Sequence, residues 1–197
     1  MYNFTFNIPT KIHFGKDTIS SLSELKAYGS KVLLVYGGGS IKKNGLYDTA
    51  MKILKDAGLT VFELSGVEPN PKNETVRKGV EICKNEGIDM VLAIGGGSTI
   101  DCSKVVAAGA RYDGDAWDLV LDGSKVKAAL PIFDVLTLSA TGTEMDPFAV
   151  ISDMSKNEKW GTGSPYMVPT MSILNPEYTF SVSKKQTAAG TADMMSH

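Results

Sequence analysis

The sequence predicts an α/β protein built on a parallel sheet, and three observations carry that expectation. Short apolar runs alternate with stretches of helical periodicity from about Lys31 to Leu138. Two of the runs, Lys31 to Tyr36 and Asp89 to Ile94, are continuously apolar at their centres, as strands buried on both faces are. Both pass directly into the same tetrapeptide, Gly37-Gly38-Gly39-Ser40 and Gly95-Gly96-Gly97-Ser98. Strand, glycine turn and helix in that order bring backbone N–H groups and the positive end of a helix to a place a phosphate can reach. A tight turn that serves packing alone would have the same sequence, and a single GGGS does not separate the two.

Each element follows in order. After the aromatic alternation of Tyr2 to Phe6 and Pro9, the run Lys11 to Phe14 reads as a second short strand ending at Gly15. Ile19 to Tyr28, with Leu22 and Leu25 on one side, reads as an amphipathic helix stopped by Gly29. Beyond the first glycine turn, Leu46, Ala50, Ile53, Leu54 and Ala57 recur at helical spacing, with Gly58 placed to follow the helix end. Thr60 to Leu64 is the next strand. Pro69-Asn70-Pro71 reads as extended and exposed, because a residue before proline is biased away from helix. A helix from about Glu74 turns Val76, Val80 and Cys83 inward and leads to the central strand.

Beyond the second glycine turn, Ser98 is placed to cap a helix running to about Ala110. Asp101 stands three residues further on, which suits both a capping box and contact with a cofactor's neutral hydrogen-bond donors. Trp117 and Leu119 anchor a short helix, and Ile132 to Leu138 is another buried strand. Its mouth, Ser139-Ala140-Thr141-Gly142-Thr143-Glu144, supplies hydroxyls where a strand end faces a ligand; an ordinary ST-rich turn has the same composition. Phe148 to Ser152 and Lys159 to Thr162 form a hairpin across a polar loop, and Met171 to Leu174 is the last strand. Ser183-Lys184-Lys185-Gln186 is a capping box, so a helix begins at Lys184. Asp193 and His197 then stand at i and i+4, a spacing that suits two ligands of one metal ion and equally a surface pair.

Composition excludes several classes. With 197 residues, 43% of them hydrophobic and 21% charged, and a net charge of −2, the chain has no general attraction to nucleic acid. It lacks the roughly 20 consecutive apolar residues of a membrane span. Met1 to Asn7 does not have the basic-then-apolar pattern of a signal peptide, so the expected location is cytoplasmic. Cys83 and Cys102 lack CxxC spacing and read as small buried hydrophobes. The repeated glycine turn matches neither GxGxxG nor GxxxxGK[ST], which disfavours an NTPase.

These segments together, with Leu136-Thr137-Leu138 before the SATGTE turn, Met145-Asp146 after it, GGGSTID at 95 to 101 and the run Ala188 to His197, resemble the iron-containing alcohol dehydrogenases. They are most similar to the butanol dehydrogenase branch. The resemblance implies an α/β dinucleotide-binding domain over residues 1–182, then the first helix of an all-helical metal-binding domain over 183–197, with the rest of that domain absent. It implies cofactor contacts at Gly38, Gly39, Ser40, Asn70, Gly96, Gly97, Ser98, Asp101, Thr137, Thr141, Thr143 and Lys159. It places the first two ligands of a divalent metal, iron or zinc, on Asp193 and His197, the other two being histidines of the helical domain. Thr143 stands where serine is usual and keeps the hydroxyl.

The activity implied is hydride transfer between NAD(P)(H) and a small primary alcohol or aldehyde, such as butanol or butyraldehyde, in a homodimer joined through N-terminal strands. The chain itself is expected to bind cofactor without turnover, since only two metal ligands lie within it. Two other readings stay open: a non-catalytic nucleotide-binding module, and a metal-dependent lyase related to dehydroquinate synthase.

Overall fold

The computed structural model describes Asn3, Thr5 and residues 7–196; Tyr2, Phe4 and Phe6 of the expected first strand and the expected metal ligand His197 lie outside the described residues. Eight strands are present among them. In chain order, the first are β1 (Lys11–Phe14), β2 (Lys31–Tyr36), β3 (Thr60–Leu64) and β4 (Met90–Gly95). They are followed by β5 (Ile132–Leu136), the hairpin β6 (Phe148–Asp153) and β7 (Glu158–Gly163), and β8 (Met171–Leu174). The helices are α1 (Ser40–Lys43), α2 (Leu46–Asp56), α3 (Asn73–Glu86), α4 (Gly97–Gly109), α5 (Ala116–Leu121) and α6 (Lys184–Ser196).

Six strands form one parallel sheet in the order β1-β8-β5-β4-β2-β3, and β6 and β7 pair antiparallel beside it. The alternation of side chains along the central strands divides the core in two. Val32, Leu34, Met90, Leu92, Phe133 and Val135 face Leu22, Leu25, Leu46, Ala50 and Leu54 on one side. Leu33, Val35, Val91 and Ile132 face Val76, Val80, Cys102, Val105 and Val106 on the other. Burial in that second layer pushes the thiols of Cys83 and Cys102 up to about 12, so both are neutral and unreactive.

This layering positions the site. From β2 the chain turns to one face to make α2 and reach β3, whereas from β4 it turns to the opposite face to make α4 and reach β5. The adjacent carboxyl ends of β2 and β4 are therefore the point where the winding reverses, and a crevice opens there between departing loops. Each of those two ends carries one of the glycine turns.

Three expectations need correction. Thr18–Tyr28 is a 3-10 helix rather than an α-helix. Its apolar residues Ile19, Leu22, Leu25 and Tyr28 recur every third position, the repeat that a helix of 3.0 residues per turn lines up on one face. Leu22 and Leu25 are buried in the core, and Tyr28 meets Phe133 edge to face at 5.0 Å. Ser98 is not a cap, because the extended residue before α4 is Gly96 and Ser98 lies inside the first turn. Asn70 is not extended: the proline after it excludes right-handed helix, and it takes the left-handed conformation at φ 56°.

Candidate functional site

The first glycine turn shows what its missing side chains are for. Gly39 needs to be glycine by conformation, with φ 102°, and caps α1. At Gly37 a Cβ would stand 3.3 Å from the carbonyl of Val67. Gly38 has neither reason: its φ is not positive, and a Cβ built there has no heavy atom within 4 Å. The second turn divides similarly. Gly95 is closed by packing, since its Cβ would fall 2.5 Å from Thr99 Oγ1, whereas Gly96 and Gly97 have only ordinary contacts at 3.4–3.7 Å. Packing alone therefore accounts for Gly95 and leaves Gly38, Gly96 and Gly97 open towards the crevice.

Between the turns lies a cleft of 390 Å³ whose walls include Gly38, Ser40, Gly96, Gly97, Ser98 and Thr137. It shares Gly97 and Ser98 with a second cleft of 330 Å³, lined among others by Asn70, Asp101, Thr141, Thr143, Glu144 and Lys159. Eleven of the twelve expected cofactor residues thus line one of two adjoining clefts, and Gly39 shapes the turn behind them. The start of α4, Gly97 to Thr99, lines the first cleft, and the free N–H groups and positive end of a helix start favour an anion.

The wall of the second cleft is tied across its mouth. The Asn70 N–H donates to Ser98 Oγ at 3.3 Å, and Lys159 Nζ donates to Asn70 Oδ1 at 2.6 Å. This chain of contacts joins the hairpin, the 65–72 loop and the first turn of α4. Lys159 thus donates to a neutral amide oxygen and lines the cleft.

Asp101 does not close a capping box. Its Oδ1 accepts from Thr143 Oγ1 at 2.7 Å and its Oδ2 from the Val150 N–H at 2.9 Å. Burial raises its pKa, while those two hydrogen bonds and the ammonium of Lys104 oppose the rise. Thr143, 3% exposed, gives its proton to Asp101, so it meets a ligand as an acceptor only.

The sequence reading missed Lys104, which is completely buried in α4. Its Nζ reaches Thr143 Oγ1 at 2.9 Å, Asp146 Oδ1 at 2.8 Å, and the carbonyls of Asp146 and Phe148 at 2.9 and 2.8 Å. The signal was present: Lys104 is the one charged residue in the otherwise uncharged run Cys102 to Ala110, three positions from Asp101 and so on the same face of the helix.

Asp193 lies on α6, and His197 is outside the described residues. Among the described residues no group of three or more histidine, cysteine, aspartate or glutamate side chains is placed to hold a metal ion. The described residues therefore do not by themselves compose a metal centre. No helix among them is long and apolar enough to cross a membrane.

A parallel doubly wound sheet, with glycine turns and a helix N-terminus meeting at its switch point, has the architecture of nucleotide-binding α/β units. Residues 9–176 match the family model described as "Iron-containing alcohol dehydrogenase", and the chain belongs to that family. It is 61% identical to NADH-dependent butanol dehydrogenase A of Clostridium acetobutylicum, across the whole of this chain and 51% of that protein. It is 40% identical to an NADPH-dependent aldehyde reductase of Escherichia coli, across the whole of this chain and 51% of that protein. The crystal structure of NADH-dependent butanol dehydrogenase A from Thermotoga maritima superimposes with a TM-score of 0.97 at 49% identity, over the whole of this chain and 50% of the other. The chain thus spans about half the length of the curated relatives it matches.

Proposed function

We propose that the two clefts hold a nicotinamide dinucleotide, with its adenosine end at Gly37 to Ser40, its pyrophosphate over Gly96 to Ser98 and its nicotinamide end beside Asp101 and Lys159. One observation carries this reading: Gly38 is required neither by backbone conformation nor by packing, so its bare surface is left for a ligand. The names of the relatives, which include both NADH-dependent and NADPH-dependent enzymes, support NAD(P)(H) as that ligand. The reaction proposed is hydride transfer between the dinucleotide and a small primary alcohol or aldehyde, of which butanol and butyraldehyde are the models. In it, this chain's residues bind and orient the dinucleotide: the glycine turns admit the pyrophosphate closely, and Asp101 and Lys159 fix the far end.

The α/β unit is proposed to run to residue 182, with α6 opening a second unit in which Asp193 and His197 would be ligands of an iron or zinc ion. A cytoplasmic homodimer completes the proposal. Since only two of the implied metal ligands, Asp193 and His197, lie within it, the 197-residue chain should bind dinucleotide without turning over alcohol. The test is calorimetric titration of the chain with NADH and NADPH, alongside metal content and butyraldehyde reduction. Saturable binding of either dinucleotide without turnover is the expected result. Absence of binding at millimolar dinucleotide would refute the cleft assignment, and turnover comparable to that of a full-length relative would refute the division of labour.

A further inference from the structure

Lys104 is the largest fully buried side chain among the described residues, and it reaches Thr143 of the second cleft's lining without lining that cleft itself. Its surroundings are what a buried ammonium requires: the polar atoms it reaches are three carbonyl or carboxylate acceptors and one hydroxyl. An ammonium has protons and no lone pair, so Thr143 Oγ1, 2.9 Å away, must accept from it. A hydroxyl has one proton. That of Thr143 is therefore directed away from Lys104, towards Asp101 Oδ1 at 2.7 Å. Asp101 in turn accepts on Oδ1 from Thr143 and on Oδ2 from the Val150 N–H, which leaves one lone pair on each oxygen for the cleft.

We propose that Lys104 is a positioning residue of the dinucleotide site: by fixing the direction of the chain Lys104 to Thr143 to Asp101, it presents Asp101 to the ligand as an ionised acceptor. The ligand group that meets Asp101 is then an N–H or O–H donor, such as a carboxamide or a ribose hydroxyl. This inference rests on the dinucleotide reading above, but Lys104 itself touches no ligand. The contacts also clamp three elements at once, since α4 supplies the lysine, the turn before β6 supplies Thr143 and Asp146, and β6 supplies the Phe148 carbonyl.

The charged groups around Asp101 make the idea testable with opposite signs. Lys104 on its own helix favours the ionised carboxylate, and Asp146 on the facing turn disfavours it. Glu144 from the same turn and Lys159 from the hairpin line the same cleft. Lys104→Met removes the favourable charge at similar volume. Asp146→Asn removes the unfavourable one and keeps an oxygen for Lys104 and for the Phe148 N–H, which Asp146 Oδ1 accepts at 2.8 Å.

The experiment follows the Asp101 carboxyl by carbon-13 NMR from pH 3 to pH 8 in the 197-residue chain without dinucleotide, then measures NADH affinity at neutral pH. The expected result is that Lys104→Met moves the Asp101 titration up by about one pH unit and Asp146→Asn moves it down. NADH affinity should fall about tenfold in Lys104→Met, the order of one hydrogen bond to a charged group, and hold or rise in Asp146→Asn. A role in packing alone would leave the titration in place or move it the same way in both variants, and either outcome overturns the proposal. If Lys104→Met does not fold, Lys104→Gln, which keeps a hydrogen-bond donor and loses the charge, takes its place with the same upward shift expected, and no shift in that variant overturns the proposal. Opposite titration shifts in a chain that binds no NADH would overturn the dinucleotide reading, while leaving the control of Asp101 by Lys104 standing.

Discussion

Gly38→Ala separates folding from binding more sharply than any other single change. In the free protein the new methyl group enters open space, since nothing lies within 4 Å of it and the backbone is not in the left-handed region. A glycine-to-alanine change at a compatible position stabilises by about 0.4–1 kcal/mol, because the unfolded chain loses freedom. The same methyl group should obstruct a dinucleotide that lies against the turn. Forcing one extra carbon into a close contact costs about 1–3 kcal/mol, which is roughly a 5- to 150-fold loss of affinity. Gly95→Ala is the control with the opposite pattern, because its Cβ would stand 2.5 Å from Thr99 Oγ1 and the fold itself must give way. Denaturant midpoints and NADH calorimetry on both variants are the assay. Gly38→Ala should keep or raise its midpoint while losing affinity, and Gly95→Ala should lose stability by about 1–3 kcal/mol. A Gly38→Ala chain that binds NADH as the unaltered one does would remove the main support for the cleft assignment.

Three further outcomes are expected. Asp134 is buried in β5, and Ser172 Oγ lies 2.7 Å both from its Oδ2 and from the Glu144 carbonyl, so one hydroxyl proton faces two acceptors. Burial raises its pKa well above the usual carboxylate value, so stability is highest below the unfolded pKa and is lost as pH rises through the folded one. Asp134→Asn keeps a donor towards Ser172 and cannot ionise, so in pH-dependent denaturation its advantage over the unaltered chain should grow above about pH 4, by about 1.4 kcal/mol for each unit of the shift. Gly39→Asp places a carboxylate at the proposed adenosine end, and calorimetry should show NADPH affinity falling more than NADH affinity; the variant should also lose about 1–3 kcal/mol of stability, because φ is 102° there. Gly190→Val sets a Cβ 2.9 Å from the Ser139 carbonyl, so hydrogen exchange should quicken through α6 and stay unchanged in the central strands.

The sheet was legible because its strands are buried on both faces, and a continuous apolar run such as Val32 to Val35 has few other readings. The twelve expected cofactor positions came from the resemblance and, for the glycines, also from the repeat of GGGS after two strands; eleven of them line the two clefts. What escaped depended on partners far away in sequence. Asp101 could be read locally as a capping residue, and only the fold brings Thr143 and Val150, 42 and 49 positions on, to its two oxygens. Lys104 went unread because its four acceptors come from residues 143 to 148, about 40 positions away in sequence. The 3-10 helix escaped for a different reason: Ile19, Leu22 and Leu25 fit both a 3.0 and a 3.6 repeat over so short a span, and packing on Phe133 chose between them.

The same long-range contacts change how the turn after β5 is understood. Ser139 to Glu144 reads locally as a polar surface loop, and such loops are ordinarily among the first parts of a protein to move. Here the turn is held from three directions. The Glu144 carbonyl accepts from Ser172 on β8 at 2.7 Å, Asp146 accepts from Lys104 on α4 at 2.8 Å, and Gly190, the one buried residue of α6, lies against the Ser139 carbonyl. Two of these anchors are buried polar side chains, which are costly to bury unless fully partnered and are strongly directional once they are. A segment that only connected β5 to the hairpin would not need them. Their presence fits a turn that must keep Thr141, Thr143 and Glu144 in register with Gly97 and Ser98 across the cleft, so that α4, β8 and α6 all bear on the geometry of one binding wall.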